Sequence, residues 1–243
     1  MRKLIQITDC HLLKDERELF CDISPDKNLL KILELAKQQN PDVLLLTGDL
    51  SQDASVESYQ RLRCYLKSFG CPIYVIPGNH DERKMCLENL VSDNVYYQEV
   101  VDVDHWQLVF IDSVIPHETP GHLKQDQFDF LETQLKNGKD TVVCMHHHPV
   151  NISNFMDKYI INNFQVFQDF VKDKANLKLV IFGHIHADFH EKIHHVDFYG
   201  CPSTSVQFSL GGVENGNGID ALTPGFRVIE LFEGGFRTRV VRV

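Results

Sequence analysis

Five short motifs bring together residue types that bind metal ions or transfer protons. They are Asp9-Cys10-His11, Gly48-Asp49, Gly78-Asn79-His80-Asp81, His146-His147-His148-Pro149 and Gly183-His184-Ile185-His186. Carboxylate, imidazole and amide groups are ligands that transition metals accept in proteins. Each motif is weak evidence when taken alone, but together they predict a metal centre with a proton-transferring histidine beside it.

Every motif follows directly on a run of apolar residues that is typical of a buried strand. The runs are Leu4–Thr8, Val43–Thr47, Ile73–Ile76, Val142–Met145 and Leu179–Phe182. Side chains at the ends of successive strands meet at one edge of a sheet, where α/β proteins hold their sites. We therefore expect the five motifs to converge on one edge of the sheet.

The spacing within two motifs suits a shared ion. In an extended segment residues i and i+2 point to the same side, so Asp9 and His11 can reach one metal while Cys10 points away. His184 and His186 have the same spacing. Taken alone, the first pair is more typical of a strand-end turn with a capping aspartate, and the second could be a surface pair. The buried strand before His184 argues against a surface pair.

Two oxygen ligands and one proton donor follow the second and third strands. Asp49 is the natural bridging ligand between two cations, although an isolated Gly-Asp dipeptide is usually a turn. Asn79 offers a neutral oxygen, and a tight turn is a strong local alternative. His80 fits poorly as a ligand beside Asn79, because adjacent side chains diverge. It is better placed to protonate a departing oxygen as a general acid.

Among the three consecutive histidines, at most one or two can coordinate, because neighbours in an extended chain point to opposite faces. We favour His146, the first residue after the apolar strand, with His147 or His148 supporting it. The other histidines are expected at the surface, and the last three of them have a small chance of reaching the rim of the site: His105, His117, His122, His190, His194 and His195.

Helical spacing alternates with the strands over most of the chain. The predicted helices are Pro25–Gln39 with Ser24 as N-cap, Ser55–Phe69, Asp81–Leu90, Asp126–Leu135 and Asn163–Val171. Beyond residue 190 the pattern changes to short strands. We predict an α/β fold with a two-layered mixed sheet core flanked by helices. It forms a single domain, 1–243, in which 200–243 supplies C-terminal strands and a glycine-rich loop, Leu210–Gly225.

Composition limits the partners. The chain has 243 residues, 43% hydrophobic residues and a formal net charge of −10, which argues against nucleic acid or an anionic membrane as the main partner. Its seven cysteines lack CxxC spacing and indicate reduced thiols. With no signal-peptide core and no apolar stretch near the ~20 residues of a membrane helix, we expect a cytoplasmic protein that acts on a small molecule.

The combined motifs closely resemble those of the calcineurin-like metallophosphoesterases. Within that superfamily the chain is similar to the bacterial class III cyclic-nucleotide phosphodiesterases. The finer likeness rests on segments spread over nearly the whole chain, namely Gly48-Asp49-Leu50-Ser51, Ser58-Tyr59, Met156-Asp157, Pro202-Ser203-Thr204, Val206-Gln207-Phe208 and Pro224-Gly225-Phe226-Arg227.

The resemblance implies a β-sandwich with flanking helices and a dinuclear site. One metal would be held by Asp9, His11 and His186, the other by Asn79, His146 and His184, and Asp49 would bridge them. His11, Asn79 and His186 would also contact the substrate. The mixed imidazole, carboxylate and amide set suits Fe, Mn or Zn better than Mg or Ca, which favour all-oxygen sites.

The activity implied is hydrolysis of 3′,5′-cyclic nucleotides, cyclic AMP to AMP, by an activated water attacking phosphorus, with Asp49 and His80 as catalytic residues. A broader phosphodiesterase or phosphatase acting on 2′,3′-cyclic nucleotides or other phosphoesters is the main alternative. A non-catalytic scaffold of the same fold is much less favoured, because all seven ligand positions are chemically competent. A monomer and a homodimer are both left open.

One position departs from the superfamily pattern. Many members carry an acidic residue three positions after the bridging aspartate, where it orients the histidine that matches His80. Gln52 occupies that position here, and Asp53 is the nearest carboxylate. Whether Asp53 takes the orienting role is an open alternative at this point.

Overall fold

The computed structural model describes residues 1–210 and 218–243. Within them the strands are β1 (Arg2–Ile7), β2 (Val43–Thr47), β3 (Ile73–Ile76), β4 (Val95–Tyr96), β5 (Val100–Val103), β6 (Trp106–Phe110), β7 (Asp140–Cys144), β8 (Leu177–Phe182), β9 (Phe189–Ile193), β10 (Val196–Gly200), β11 (Gln207–Phe208), β12 (Ile219–Asp220), β13 (Gly225–Phe232) and β14 (Gly235–Arg242). The helices are α1 (Pro25–Gln38), α2 (Val56–Leu66), α3 (Arg83–Leu90), α4 (Gln125–Leu135) and α5 (Phe164–Val171), with a 3-10 turn at Phe155–Tyr159.

The strands form two six-stranded mixed sheets and a short ribbon. The first sheet has the order β14-β13-β1-β2-β3-β4, the second has β5-β6-β7-β8-β10-β9, and β11 pairs with β12. In the first sheet β1, β2 and β3 are parallel, and β13 is antiparallel to β1. In the second sheet β6, β7, β8 and β10 are parallel. The parallel strands of each sheet therefore end at a common edge.

Three apolar clusters fill the spaces between the layers. Leu45 of the first sheet and Val142 of the second belong to one cluster, which packs the two sheets face to face. Helices α1 and α2 cover the other face of the first sheet, where Leu29 and Leu62 are buried. Helices α4 and α5 cover the second sheet with residues such as Phe167. The predicted α/β architecture, two mixed sheets packed as a sandwich between helices, is confirmed.

Local signals located the buried elements well. Ser24 and Ser55 accept hydrogen bonds from the backbone of the first turns of α1 and α2, as N-caps do. The five predicted helices all form, most within a residue or two of the expected bounds. The two-residue strands β4 and β12 were not predicted, and neither were strands β5 and β9. Strands β5 and β9 lie at the two edges of the second sheet, and the middle of β9 is exposed and polar, so the apolar pattern that marks buried strands is missing.

The C-terminal segment adds β13 and β14 to the first sheet, so residues at the end of the chain pack on β1. The single-domain organisation stays a prediction, which the apolar cluster shared by the two sheets supports. Much of the predicted glycine-rich loop, residues 211–217, lies outside the described residues. Among the helices of 1–210 and 218–243, none is long and apolar enough to cross a membrane.

Candidate metal centre

The five motifs meet where the parallel strands of the two sheets end. Asp9, Asp49 and Asn79 follow β1, β2 and β3 of the first sheet, whereas His146 and His184 follow β7 and β8 of the second. Their ligand atoms approach one another in overlapping groups. The predicted convergence is confirmed, but the residues come from the facing edges of two sheets rather than from one.

Most of the candidate ligands have a left-handed backbone. Five of them have φ values between 49° and 66°, a region that residues other than glycine seldom adopt: Asp9, His11, Asp49, His184 and His186. Such strain persists only where the surrounding structure enforces it, and it is concentrated at functional sites. Here the loops hold one another, because Asp9 N donates to Gly48 O at 3.0 Å and His11 N donates to Asp49 O at 3.0 Å.

Asp9, His11 and His186 form the first predicted ligand group. The Nε2 atoms of His11 and His186 lie 3.0 Å apart, and Asp9 Oδ1 is 3.5 Å from His186 Nε2. The Nδ1 of His186 lies 2.8 Å from the Val206 carbonyl, and the Nδ1 of His11 lies 2.6 Å from Gln52 Oε1. Because both acceptors require a proton on Nδ1, the two Nε2 lone pairs face each other.

The second group shows the same arrangement at His146. Its Nδ1 donates to the Thr47 carbonyl at 2.8 Å, so its Nε2 is left to bind a proton or a metal cation. That atom lies 3.1 Å from Asn79 Oδ1 and 3.4 Å from Asp49 Oδ2, which are acceptors. The Nε2 of His184 is buried without a hydrogen-bond partner among the described residues. A proton on His146 or a metal cation can satisfy the two oxygens that face its Nε2, and a metal cation can also engage the unpartnered Nε2 of His184.

Asp49 lies between the two groups. Its Oδ2 is 3.4 Å from His146 Nε2 and 3.8 Å from His11 Nε2. Its Oδ1 accepts a hydrogen bond from the His80 backbone N–H at 2.9 Å, which fixes the carboxylate plane. One oxygen facing an imidazole of each group is the geometry expected of a bridging ligand.

Burial and mutual charge set the protonation of the cluster. Burial and the nearby His186 lower the pKa of His11 to about 3, and burial with neighbouring histidines holds the pKa of His184 well below its usual value. Burial also acts to lower the pKa of His146, but the Asp49 carboxylate outweighs it and raises that pKa to about 9. A proton on His146 thus balances the buried carboxylate, a role that a cation can take over.

Two glycines allow the close packing of this centre. A Cβ at Gly78 would lie 2.2 Å from Asp49 Oδ1 and 2.3 Å from its backbone nitrogen. A Cβ at Gly183 would lie 2.1 Å from Thr8 Oγ1 and 2.9 Å from Asp9 Oδ2. Both positions therefore exclude any side chain.

The three consecutive histidines have different surroundings. His146 faces the cluster, as expected. Both ring nitrogens of His147 are engaged, Nδ1 with Ser113 Oγ at 2.8 Å and Nε2 with the Thr119 carbonyl at 3.1 Å. Its ring nonetheless lies near those of His146 and His184, and we regard the hydrogen bonds as decisive for a supporting role. His148 is buried against the His184 ring, with centroids 5.5 Å apart.

Among the hydrogen bonds of the described residues, neither Gln52 nor Asp53 has one to His80, so neither takes the role of orienting that histidine. Gln52 contacts His11 instead, as the 2.6 Å distance to Nδ1 demonstrates. Asp53 accepts hydrogen bonds from Lys14 N at 2.8 Å and from Ser51 Oγ and Ser55 N at 3.1 Å, so it anchors its own loop. An amide at position 52 is long enough to reach across to the ligand histidine.

Asp81 is a buried residue for which the motif analysis assigned no role. Its Oδ2 accepts from Gly78 N at 2.8 Å and Leu50 N at 3.1 Å, and its Oδ1 accepts from Ser51 N and Tyr59 Oη at 3.0 Å. It thus ties the loop of Asp49 to that of Asn79. A carboxylate two residues after a candidate ligand was the available signal, but only its partners reveal the function.

His80 lines a cavity. Its ring packs edge-on against His11, with centroids 5.1 Å apart, and is half-buried. The cavity beside it has a volume of about 620 Å³, and Asn79 and His117 also line it. His117 is exposed, as expected, but its contribution to the lining of this cavity was not predicted. His190, by contrast, pairs with Asp197 on β10, at 2.8 Å, away from the cluster.

Comparisons with known proteins agree with this geometry. The model of the calcineurin-like phosphoesterase family matches residues 2–188. The 3′,5′-cyclic adenosine monophosphate phosphodiesterase CpdA of Pseudomonas aeruginosa is 33% identical over 99% of this chain and 89% of its own length. A 3′,5′-cyclic-nucleotide phosphodiesterase of a Nostoc species is 32% identical over 99% of this chain and 92% of its own length.

Among solved structures, a dimetal phosphatase from Danio rerio superposes with a TM-score of 0.74, covering 98% of this chain and 95% of that one. Because the sequence identity is 11%, this likeness concerns the fold alone.

Proposed function

The chain belongs to the calcineurin-like phosphoesterase family, and we propose that it hydrolyses 3′,5′-cyclic nucleotides, converting cyclic AMP to AMP. Full-length relatives named for this activity support the substrate class. The motifs of the finer resemblance, which extend from Gly48 to Arg227, support it as well. A monomer and a homodimer both stay open. The cytoplasmic location stays a prediction, which the seven free thiols of the chain favour.

The observation that carries the metal part of the proposal is the convergence of lone pairs. His11 Nε2 faces His186 Nε2 at 3.0 Å, and His146 Nε2 faces Asn79 Oδ1 at 3.1 Å. Because both imidazoles of the first contact hold their proton on Nδ1, that contact is repulsive without a cation. In the second contact a cation can replace the proton that Asp49 favours on His146, so the residues of both groups fit bound metal ions. Asp9, His11 and His186 would hold one ion, Asn79, His146 and His184 the other, and Asp49 both. Fe, Mn or Zn suits such a mixed nitrogen and oxygen set.

Two cations held by these residues would supply Lewis-acid chemistry, that is, they would lower the pKa of a bound water molecule and offset the charge of the phosphoryl oxygens. Positioning and proton transfer come from residues of the chain. Asp49, fixed by the His80 backbone, keeps the two ligand groups in register. The His80 ring, beside His11 and open to the cavity, donates a proton to the ribose oxygen as the phosphorus–oxygen bond breaks. The cyclic ring opens to a nucleoside monophosphate. We also assign substrate contacts to His11, Asn79 and His186.

The proposal is tested by a hydrolysis panel with metal analysis on the same preparation. The substrates are 3′,5′-cyclic AMP and GMP, 2′,3′-cyclic nucleotides and an aryl phosphodiester. We expect about two metal ions per chain and the highest kcat/KM for a 3′,5′-cyclic nucleotide. Preference for 2′,3′-cyclic nucleotides or for the aryl ester would replace this function with the broader phosphodiesterase. A metal content near zero after reconstitution with Mn would contradict the two-metal centre.

A further inference from the structure

We infer that the cavity beside His80 receives the nucleoside part of the substrate and that Val114 forms part of the wall that holds it. This inference rests on the proposed cyclic-nucleotide activity and extends it to the direction in which the substrate lies. The cavity, which we call the His80 cavity, is lined by Ala54, Pro77, Asn79, His80, Val114 and Pro116 together with polar side chains.

The position of His80 sets the direction. His80 packs against the candidate ligand His11 and also lines the cavity, so it lies between the metal centre and the His80 cavity. If His80 protonates the departing ribose oxygen, the ribose must lie on the same side as His80. The base then extends from the ribose into the His80 cavity.

Aromatic rings cover two of the candidate ligands and are not among the residues that line the His80 cavity. Phe20 stacks on His11 with ring centroids 4.7 Å apart. Phe208 stacks on His186 with centroids 4.3 Å apart and an angle of 7° between the planes. These rings occupy the faces of the two histidines on which a base could otherwise lie. The His80 cavity is therefore the better path for a large substituent.

The size and surface of the His80 cavity suit a nucleoside. Its volume of about 620 Å³ lies within the range typical of small-molecule sites, about 300–1,000 Å³. Pro77, Val114 and Pro116 offer apolar surface for a base, whereas Asp112 and Lys124 offer polar groups for hydrogen bonds. This combination of apolar walls with a few polar groups is usual in ligand sites.

The segment that carries Val114 is hydrogen-bonded to His147, which follows the candidate ligand His146. Ser113, next to Val114, lies 2.8 Å from His147 Nδ1, and the Thr119 carbonyl lies 3.1 Å from His147 Nε2. Val114 N donates to Asp112 Oδ1 at 3.0 Å. Since His147 directly follows His146 in the chain, the wall keeps a defined distance from the ligands.

The test compares Val114→Trp and Val114→Ala with wild type and with Val166→Trp, a matched control at an exposed position of α5. The substrates are cyclic AMP and ethyl 4-nitrophenyl phosphate, a small diester without a nucleoside. We expect Val114→Trp to lower kcat/KM for cyclic AMP by about tenfold to a hundredfold, mainly through KM, as misfit in a pocket does. For the small diester, kcat/KM should fall by less than about threefold in Val114→Trp and also in Val114→Ala.

The outcomes distinguish a failure of this inference from a failure of the proposed cyclic-nucleotide activity on which it rests. Val114→Ala should raise KM for cyclic AMP by about twofold to fivefold, because it removes wall contact without blocking the cavity. Equal losses on both substrates with Val114→Trp, or a wild-type KM for cyclic AMP with Val114→Ala, would overturn the inference. A wild-type protein that hydrolyses the small diester but no cyclic nucleotide would instead overturn the proposed function.

Discussion

Gly78→Ala should disable the metal centre, whereas Gly70→Ala, the same chemical change, should be harmless. A Cβ at Gly78 would lie 2.2 Å from Asp49 Oδ1, and ordinary contacts begin at 3.4 Å, so the two groups must separate by 3.4 − 2.2 = 1.2 Å. The other nearby atoms are the Asp49 backbone nitrogen at 2.3 Å and His146 Cε1 at 2.8 Å. They leave the added Cβ little space into which it could move away from Asp49 Oδ1. Overpacking of this kind costs about 1–3 kcal/mol of stability.

The shift falls on the residue that would bridge the metals. Because a misplacement of about 1 Å can cost ~100-fold in rate, we expect kcat/KM of Gly78→Ala to fall by about that factor or more, together with its metal content. Nothing lies within 4 Å of a Cβ at Gly70, so Gly70→Ala should be neutral or stabilise the fold by about 0.4–1 kcal/mol. Denaturant unfolding, metal analysis and kinetics on both variants provide the measurement. If Gly78→Ala matched Gly70→Ala in all three, the close approach described for Gly78 would be wrong.

Further substitutions address single residues of the centre. Asp49→Ala should abolish most activity and reduce bound metal, because it removes the oxygen shared by both groups; full metal content by elemental analysis would argue against bridging. His80→Ala should retain its metals yet lose about 10²–10⁴-fold in kcat on cyclic AMP, with a much smaller loss on a nitrophenyl phosphodiester, whose leaving group needs no proton. Equal losses on the two substrates would refute the general-acid role. Gln52→Ala should weaken metal binding by about 10–100-fold, as loss of a ligand-orienting partner does, whereas Gln52→Glu should retain it in a calorimetric titration.

Local pattern was sufficient for the helices and the buried strands, and for identifying the polar residues that follow those strands as candidate ligands. The buried strands are continuous apolar runs because both faces are covered, as in β2, where every residue is buried. Their ends are therefore visible in the sequence, and the polar residues that follow them are marked as candidates. The i, i+2 spacing of His184 and His186 is also a local property. Strand β9 was missed because its exposed residues carry no such pattern.

The roles that we propose for the individual candidates depend on tertiary structure. The choice of His146 over His147 depends on which ring nitrogens are occupied by Thr47, Ser113 and Thr119, contacts that no local spacing encodes. Gln52 proved to hold His11 across 41 residues of chain. These roles depend on distances between segments that are remote in sequence, and a pattern with periods of two or four residues contains no information on them. The sequence thus determined which residues stand at the ends of the strands, and the packing of the two sheets determined which of their atoms face one another.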